Sequence, residues 1–159
     1  MRILGIDPGL ERIGFGLVVR EGSRLTAIEY GVILTPRIIL PDRLKLIYEE
    51  VTALIERSSP DKVATERLLF AANKTTAMDV SKSLGVILLA TAHQNLEWTE
   101  YSPPEIKLAV VGNGAADKKQ VQFMVTKLLS LKETPKPDDV ADALAIAICH
   151  AFKSRVSGV

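Results

Sequence analysis

The chain has 159 residues, 47% of them hydrophobic and 25% charged, with a formal net charge of +1. That composition fits one globular domain long enough to bury a core, and it excludes both a disordered chain and a nucleic-acid binder working by global charge. A single cysteine, Cys149, excludes an internal disulfide and a cysteine-built metal site.

Residues 3–7 read as a first strand, closed by Pro8-Gly9. Residues 12–20 form a second, with Ile13, Phe15, Leu17 and Val19 alternating against Gly14, Gly16 and Val18. After the turn Gly22-Ser23, residues 25–35 complete an antiparallel meander. Pro41-Asp42 opens a helix to about residue 57, whose apolar positions Leu44, Ile47, Tyr48, Val51, Leu54 and Ile55 follow the 3.6-residue period. A short strand at 62–65 leads into Glu66. Residues 73–93 predict a long helix; Gly85 inside it costs roughly 1 kcal/mol against alanine, which suggests close packing on another backbone. Residues 96–101 form a fifth strand, and Pro103-Pro104 starts a helix ending near 111. Gly112-Asn113-Gly114 is a loop, 117–131 is helical, and Pro135-Lys136-Pro137 leads stiffly into a helix over 138–153.

Strands alternating with helices after a meander predict an α/β fold, a five-stranded mixed sheet with helices on both faces. One domain over 1–155 is expected, with a disordered tail at 156–159. No signal peptide is read at the start, and the apolar run 85–90 falls far short of the ~20 residues of a membrane span. A cytoplasmic location is the expectation.

The chemistry sits on carboxylates. Asp7 and Glu66 each end an apolar strand, where an unpartnered buried charge is costly. If the two strands are neighbours, both acids emerge at the sheet edge where open α/β sheets bind ligands. Asp139 and Asp142 are three apart and share a helix face, among Val140, Ala141, Ala143, Leu144, Ala145 and Ile146. Helix capping by Asp138 and attraction to the helix dipole account for Asp138 and Asp139. They account poorly for Asp142, a full turn in. Acids converging in this way repel one another unless cations neutralise them, and oxygen-only ligands favour Mg²⁺ or Mn²⁺ over zinc. Such sites typically hold two ions that stabilise the attacking and leaving oxygens of an in-line phosphoryl displacement. His93 and His150, at the ends of apolar helices, read as packing or surface residues. Lysines gathered between 107 and 136 describe either a phosphate-tracking face or a solvated helix surface.

At this point the sequence resembles the RuvC family of Holliday junction resolvases over nearly its whole length. The likeness is carried by Gly5-Ile6-Asp7-Pro8-Gly9, the helix start at 43–48, Glu66 after its strand, and Val110-Val111-Gly112-Asn113-Gly114. It continues through Asp117-Lys118-Lys119-Gln120-Val121-Gln122 and the run from Asp139 to Ala147. The resemblance implies an RNase H-like fold and a homodimer that nicks a four-way DNA junction symmetrically in recombination and repair. It also implies cooperation with a branch-migration motor. Its metal-binding acids correspond to Asp7, Glu66, Asp139 and Asp142, holding two Mg²⁺ ions per subunit with Mn²⁺ as a substitute, and its functional lysines to Lys107 and Lys118. The DNA-contacting set expected from it is Leu69, Phe70, Lys74, Lys107, Lys118 and Lys119.

Lys118 follows a glycine-bordered loop at a helix start, where free backbone N–H groups suit a phosphate; a plain helix–helix turn explains the loop equally well. The sequence departs from the family where a junction-contacting aromatic is common, three residues after Glu66. Leu69 stands there, able to wedge between bases but lacking a ring to stack on them. Phe70 beside it either takes over the role or packs in the core. The helix over 73–93 is the expected dimer interface, the alternative being that its apolar set faces only its own sheet.

Two rival functions are defined by the same residues. One is a related RNase H-like nuclease acting on RNA or linear DNA ends, which the run Gly9-Leu10-Glu11-Arg12-Ile13-Gly14 also resembles. The other is a non-catalytic junction-binding module or an actin-like nucleotide-binding domain, which leaves Asp139 and Asp142 without a use.

Overall fold

The strand alternation and helix periods of the sequence are realised in the computed structural model, which describes residues 1–69 and 74–154. In chain order the elements are β1 (Arg2–Asp7), β2 (Arg12–Glu21), β3 (Arg24–Leu34), α1 (Leu40–Ser58), β4 (Lys62–Glu66), α2 (Lys74–His93), β5 (Glu97–Tyr101), α3 (Pro103–Val111), α4 (Lys118–Leu128) and α5 (Asp138–Lys153). The strands form one sheet in the order β3-β2-β1-β4-β5. The meander is antiparallel, whereas β1, β4 and β5 run parallel. Parallel neighbours need crossover connections, and α1 and α2 supply them.

Strand side chains alternate between faces, and β1 divides two cores accordingly. Ile3 packs in a cluster with Ala64, Leu144 and Ile148, on the α5 side. Leu4 and Ile6 pack with Val63, Ile47 and Val51, on the α1 side. Helices therefore cover both faces, as expected. Asp7 continues the parity of Ile3, and Glu66 that of Ala64, so both strand-end acids belong to the face that α5 covers.

On that face α5 lies directly against the strands because glycine makes room for it. A Cβ on Gly5 would collide with the carbonyl oxygen of Ala143, and one on Gly14 with that of Asp139. Gly14 is also the register partner of Asp7. The first turn of α5 is thus seated beside the end of β1.

Several sequence expectations are corrected. Asp138 does not cap α5: Pro137 holds the N-cap position with no side-chain cap bond. Asp138 is instead the first helical residue, accepting a hydrogen bond from Gln122 Nε2 and pairing with Lys118. The helix expected to 131 ends at Leu128, since Ser130 turns into the left-handed region at φ 52°. Gly85 meets no close backbone; a Cβ there would enter open space. His93 shares a hydrogen bond with Tyr48 and buried His150 one with Tyr101, consistent with packing roles. Phe70, Asn73 and the tail at 156–159 lie outside the described residues.

Candidate active site

Neighbouring parallel strands deliver Asp7 and Glu66 to one edge, each standing one residue past the paired Ile6 and Thr65. Asp139 and Asp142 project from the first turns of α5. The acids feel one another: burial pushes the Asp7 carboxyl up to about 8, helped by the negative charges of Asp142, Glu66 and Asp139 and opposed by Lys118. Burial likewise raises Glu66, with Asp142 adding to the rise and Lys107 and Lys118 opposing it. Asp142 is raised mainly by burial, against the pull of Lys118. These are the signs of acids brought together in a poorly solvated place.

Lys118, the first residue of α4, reaches across to α5. Its ammonium lies 3.1 Å from Asp138 and 3.7 Å from Asp142. Burial alone would lower its pKa, but the hydrogen bond to Asp138 and the surrounding carboxylates raise it. Two capping boxes fix the helices that carry the lysines. Ser102 and Glu105 bond reciprocally at the start of α3, as do Asp117 and Gln120 at the start of α4. Lys107 and Lys118 then line a cavity of about 250 Å³ with Glu66 and Asp142, walled by apolar Ile106 and Val121.

The structure therefore brings Asp7, Glu66, Asp139, Asp142, Lys107 and Lys118 into one electrostatic neighbourhood. Of the other expected DNA-contacting residues, Leu69 and Lys119 are not among those that line the cavity. Leu69 is 56% exposed on the segment after β4. Lys74 begins α2. Lys119 borders a separate hollow with Phe123 and Met124. Phe70 lies outside the described residues.

A resident metal is implied by this donor chemistry, and the residues fit one: all the acids are oxygen donors, and burial, with their mutual charge added, raises Asp7, Glu66 and Asp142. Among the described residues, no three His, Cys, Asp or Glu side chains form a closed metal cage. Protein cations stand against the acids instead, Lys118 at Asp142 and Arg12 at Asp139, the latter at 3.4 Å. Sequence reasoning missed Arg12. Its signal was the run between Gly9 and Gly14, which places a basic residue where β2 pairs with the end of β1.

A profile of the family described as crossover junction endodeoxyribonuclease RuvC matches residues 3–150. The chain is 49% identical to the protein of that description from Syntrophomonas wolfei, covering 99% of this chain and 92% of the relative. It is 53% identical to the one from Alkaliphilus metalliredigens, covering 98% and 95%. Among solved structures, Thermus thermophilus RuvC in complex with a Holliday junction substrate superposes with a TM-score of 0.90 at 36% identity, over 96% of this chain and 93% of that one.

Proposed function

The chain belongs to the family of crossover junction endodeoxyribonucleases RuvC, and from that footing we propose that its carboxylate cavity is where a four-way DNA junction is cut. The protein is a metal-dependent nuclease of RNase H-like fold that resolves Holliday junctions in DNA recombination and repair. The observation that carries the assignment of the site is the meeting of Asp7, Glu66, Asp139 and Asp142 beside Lys107 and Lys118.

In this reading Asp7, Glu66, Asp139 and Asp142 would hold two Mg²⁺ ions, with Mn²⁺ as a substitute. When bound, the ions supply charge that activates water and stabilises the leaving oxygen. Water adds to phosphorus as the P–O bond to the leaving strand end breaks; the water's proton passes to solvent, and the leaving oxygen takes one up to become a hydroxyl. Lys118 and Lys107 counter the charge of the scissile phosphate from the α4 and α3 sides of the cavity. Lys118 is already ionised there, since the surrounding acids raise its pKa. Ile106 and Val121 exclude bulk water from one wall, which strengthens these interactions.

A homodimer supplies one site to each of two equivalent strands. Its proposed interface is α2, where Met78 is 57% and Leu89 51% exposed and Gly85 between them leaves open space. Exposed Leu69 is proposed as an apolar wedge at the junction, with Phe70, Lys74 and Lys119 as further DNA contacts. A branch-migration motor is proposed as a partner on family membership alone. Among the described residues no helix is long and apolar enough to cross a membrane; the cytoplasm is the proposed location, and residues 1–155 the proposed single domain.

The test is cleavage of an end-labelled four-way junction with and without Mg²⁺, comparing wild type with Glu66→Gln. Paired symmetric nicks that require the metal and vanish in the variant are expected. Metal-dependent cleavage by Glu66→Gln at the wild-type rate would overturn the assignment of the cavity.

A further inference from the structure

The catalytic reading leaves Arg12 without a role, although it stands at the rim of the site. Its Nε lies 3.4 Å from Asp139 Oδ2, the two side chains being 56% and 25% exposed. The pairing is built by the fold: Gly14 runs so close beneath Asp139 that no Cβ fits between them, which seats the first turn of α5 over the start of β2. The nearer acid in sequence, Glu11, is held by Arg37 at 2.6 Å and does not compete for the guanidinium. On the opposite flank Lys118 reaches Asp142. The acids carry protein cations on both sides.

We propose that Arg12 is a resident counter-ion of this site, pairing with Asp139 in the metal-free protein and yielding that carboxylate when a divalent cation binds. The proposal rests on the reading of Asp139 as a metal ligand. A guanidinium and a dication on one carboxylate repel each other, and partial burial limits the screening that would hide this repulsion. Arg12 therefore offsets carboxylate repulsion in the empty protein and opposes loading of the metal. Because a half-exposed ion pair is weak, the competition is modest.

Titration calorimetry of the intact chain with Mn²⁺ tests this. Arg12→Gln should tighten Mn²⁺ binding about two- to fivefold, while Arg12→Lys, which keeps the charge, should stay near wild type. Equal or weaker binding by folded Arg12→Gln overturns the proposal. Absence of saturable Mn²⁺ binding by wild type, or binding unchanged by Asp139→Asn, would instead bring down the metal reading and the proposal with it. Wild type offers a check free of folding effects. Saturation with Mg²⁺ should shift the Arg12 Nε–H resonance as the guanidinium leaves Asp139, and an unmoved resonance overturns the exchange.

Discussion

The Lys118 ammonium of α4 lies 3.7 Å from the Asp142 carboxylate of α5, so a residue at one helix start answers an acid one turn inside another. Lys118 also opposes the raised pKa values of Asp7 and Glu66. Lys118→Met should slow junction cleavage by about 10²–10³, the usual scale for removing one preorganised charge donor. Junction binding should fall only severalfold. Single-turnover cleavage beside a binding titration checks this, and a variant that cuts at the wild-type rate would remove Lys118 from the mechanism.

Asp7 links the site to stability. Its carboxyl is raised from 3.8 to about 8 by burial and by Asp142, Glu66 and Asp139. The folded pKa lies above the unfolded one, so its contribution is fully present below about pH 4 and lost as pH rises through about 8. In metal-free buffer the melting temperature should decline across that window on account of Asp7. Asp7→Asn should flatten the decline and melt several degrees higher at pH 8, since ~1 kcal/mol moves Tm by about 2–4 °C at this size. Thermal melts in chelator from pH 5 to 9 measure it. A variant as pH-sensitive as wild type would show that Asp7 does not carry the repulsion.

The glycines beneath α5 predict a ranking. Gly5→Ala and Gly14→Ala drive a methyl into backbone oxygens of α5, whereas Gly16→Ala meets the flexible end of Leu144 at 2.5 Å. The first two should cost about 1–3 kcal/mol or more and the third less. Gly14→Ala should also depress cleavage beyond its stability loss, because it pushes on Asp139 itself. Denaturant midpoints and cleavage rates, compared across the three, decide it. Equal effects would mean that the helix shifts freely over the sheet.

The acids were legible in the sequence because each breaks a local rule. Asp7 and Glu66 end apolar strands, and Asp142 interrupts the buried run of α5 from Val140 to Ala151. The sheet with two covered faces followed from alternation and helix period. What was not legible depends on partners far along the chain. Asp138 suits an N-cap in composition, yet Lys118 and Gln122 engage its carboxylate and Pro137 takes the cap. Leu129 and Leu131 prolong the apolar period of α4 past its end, which only the backbone turn at Ser130 reveals. Gly85 indicates close packing in sequence but faces outward. Arg12 has meaning only once β2 and α5 are in contact.

That outward glycine bears on assembly. Met78, Gly85 and Leu89 recur at helical spacing on α2, while Ile87 and Ala90 of the same helix are fully buried beneath it. An apolar stripe opposite a buried face is surface the monomer does not use. Leu89→Glu places a charge on that stripe without touching the buried residues or the acids of the site. Wild type is expected to sediment as the proposed dimer, and the variant should keep its fold and sediment as a monomer at the same concentration. Paired nicking of one junction should give way to single nicks, because the two strands would no longer be met by coupled sites. Sedimentation velocity and a nick-pairing assay on a cruciform plasmid read both effects. A Leu89→Glu protein that remains dimeric and still nicks in pairs would place the interface on another face of the molecule.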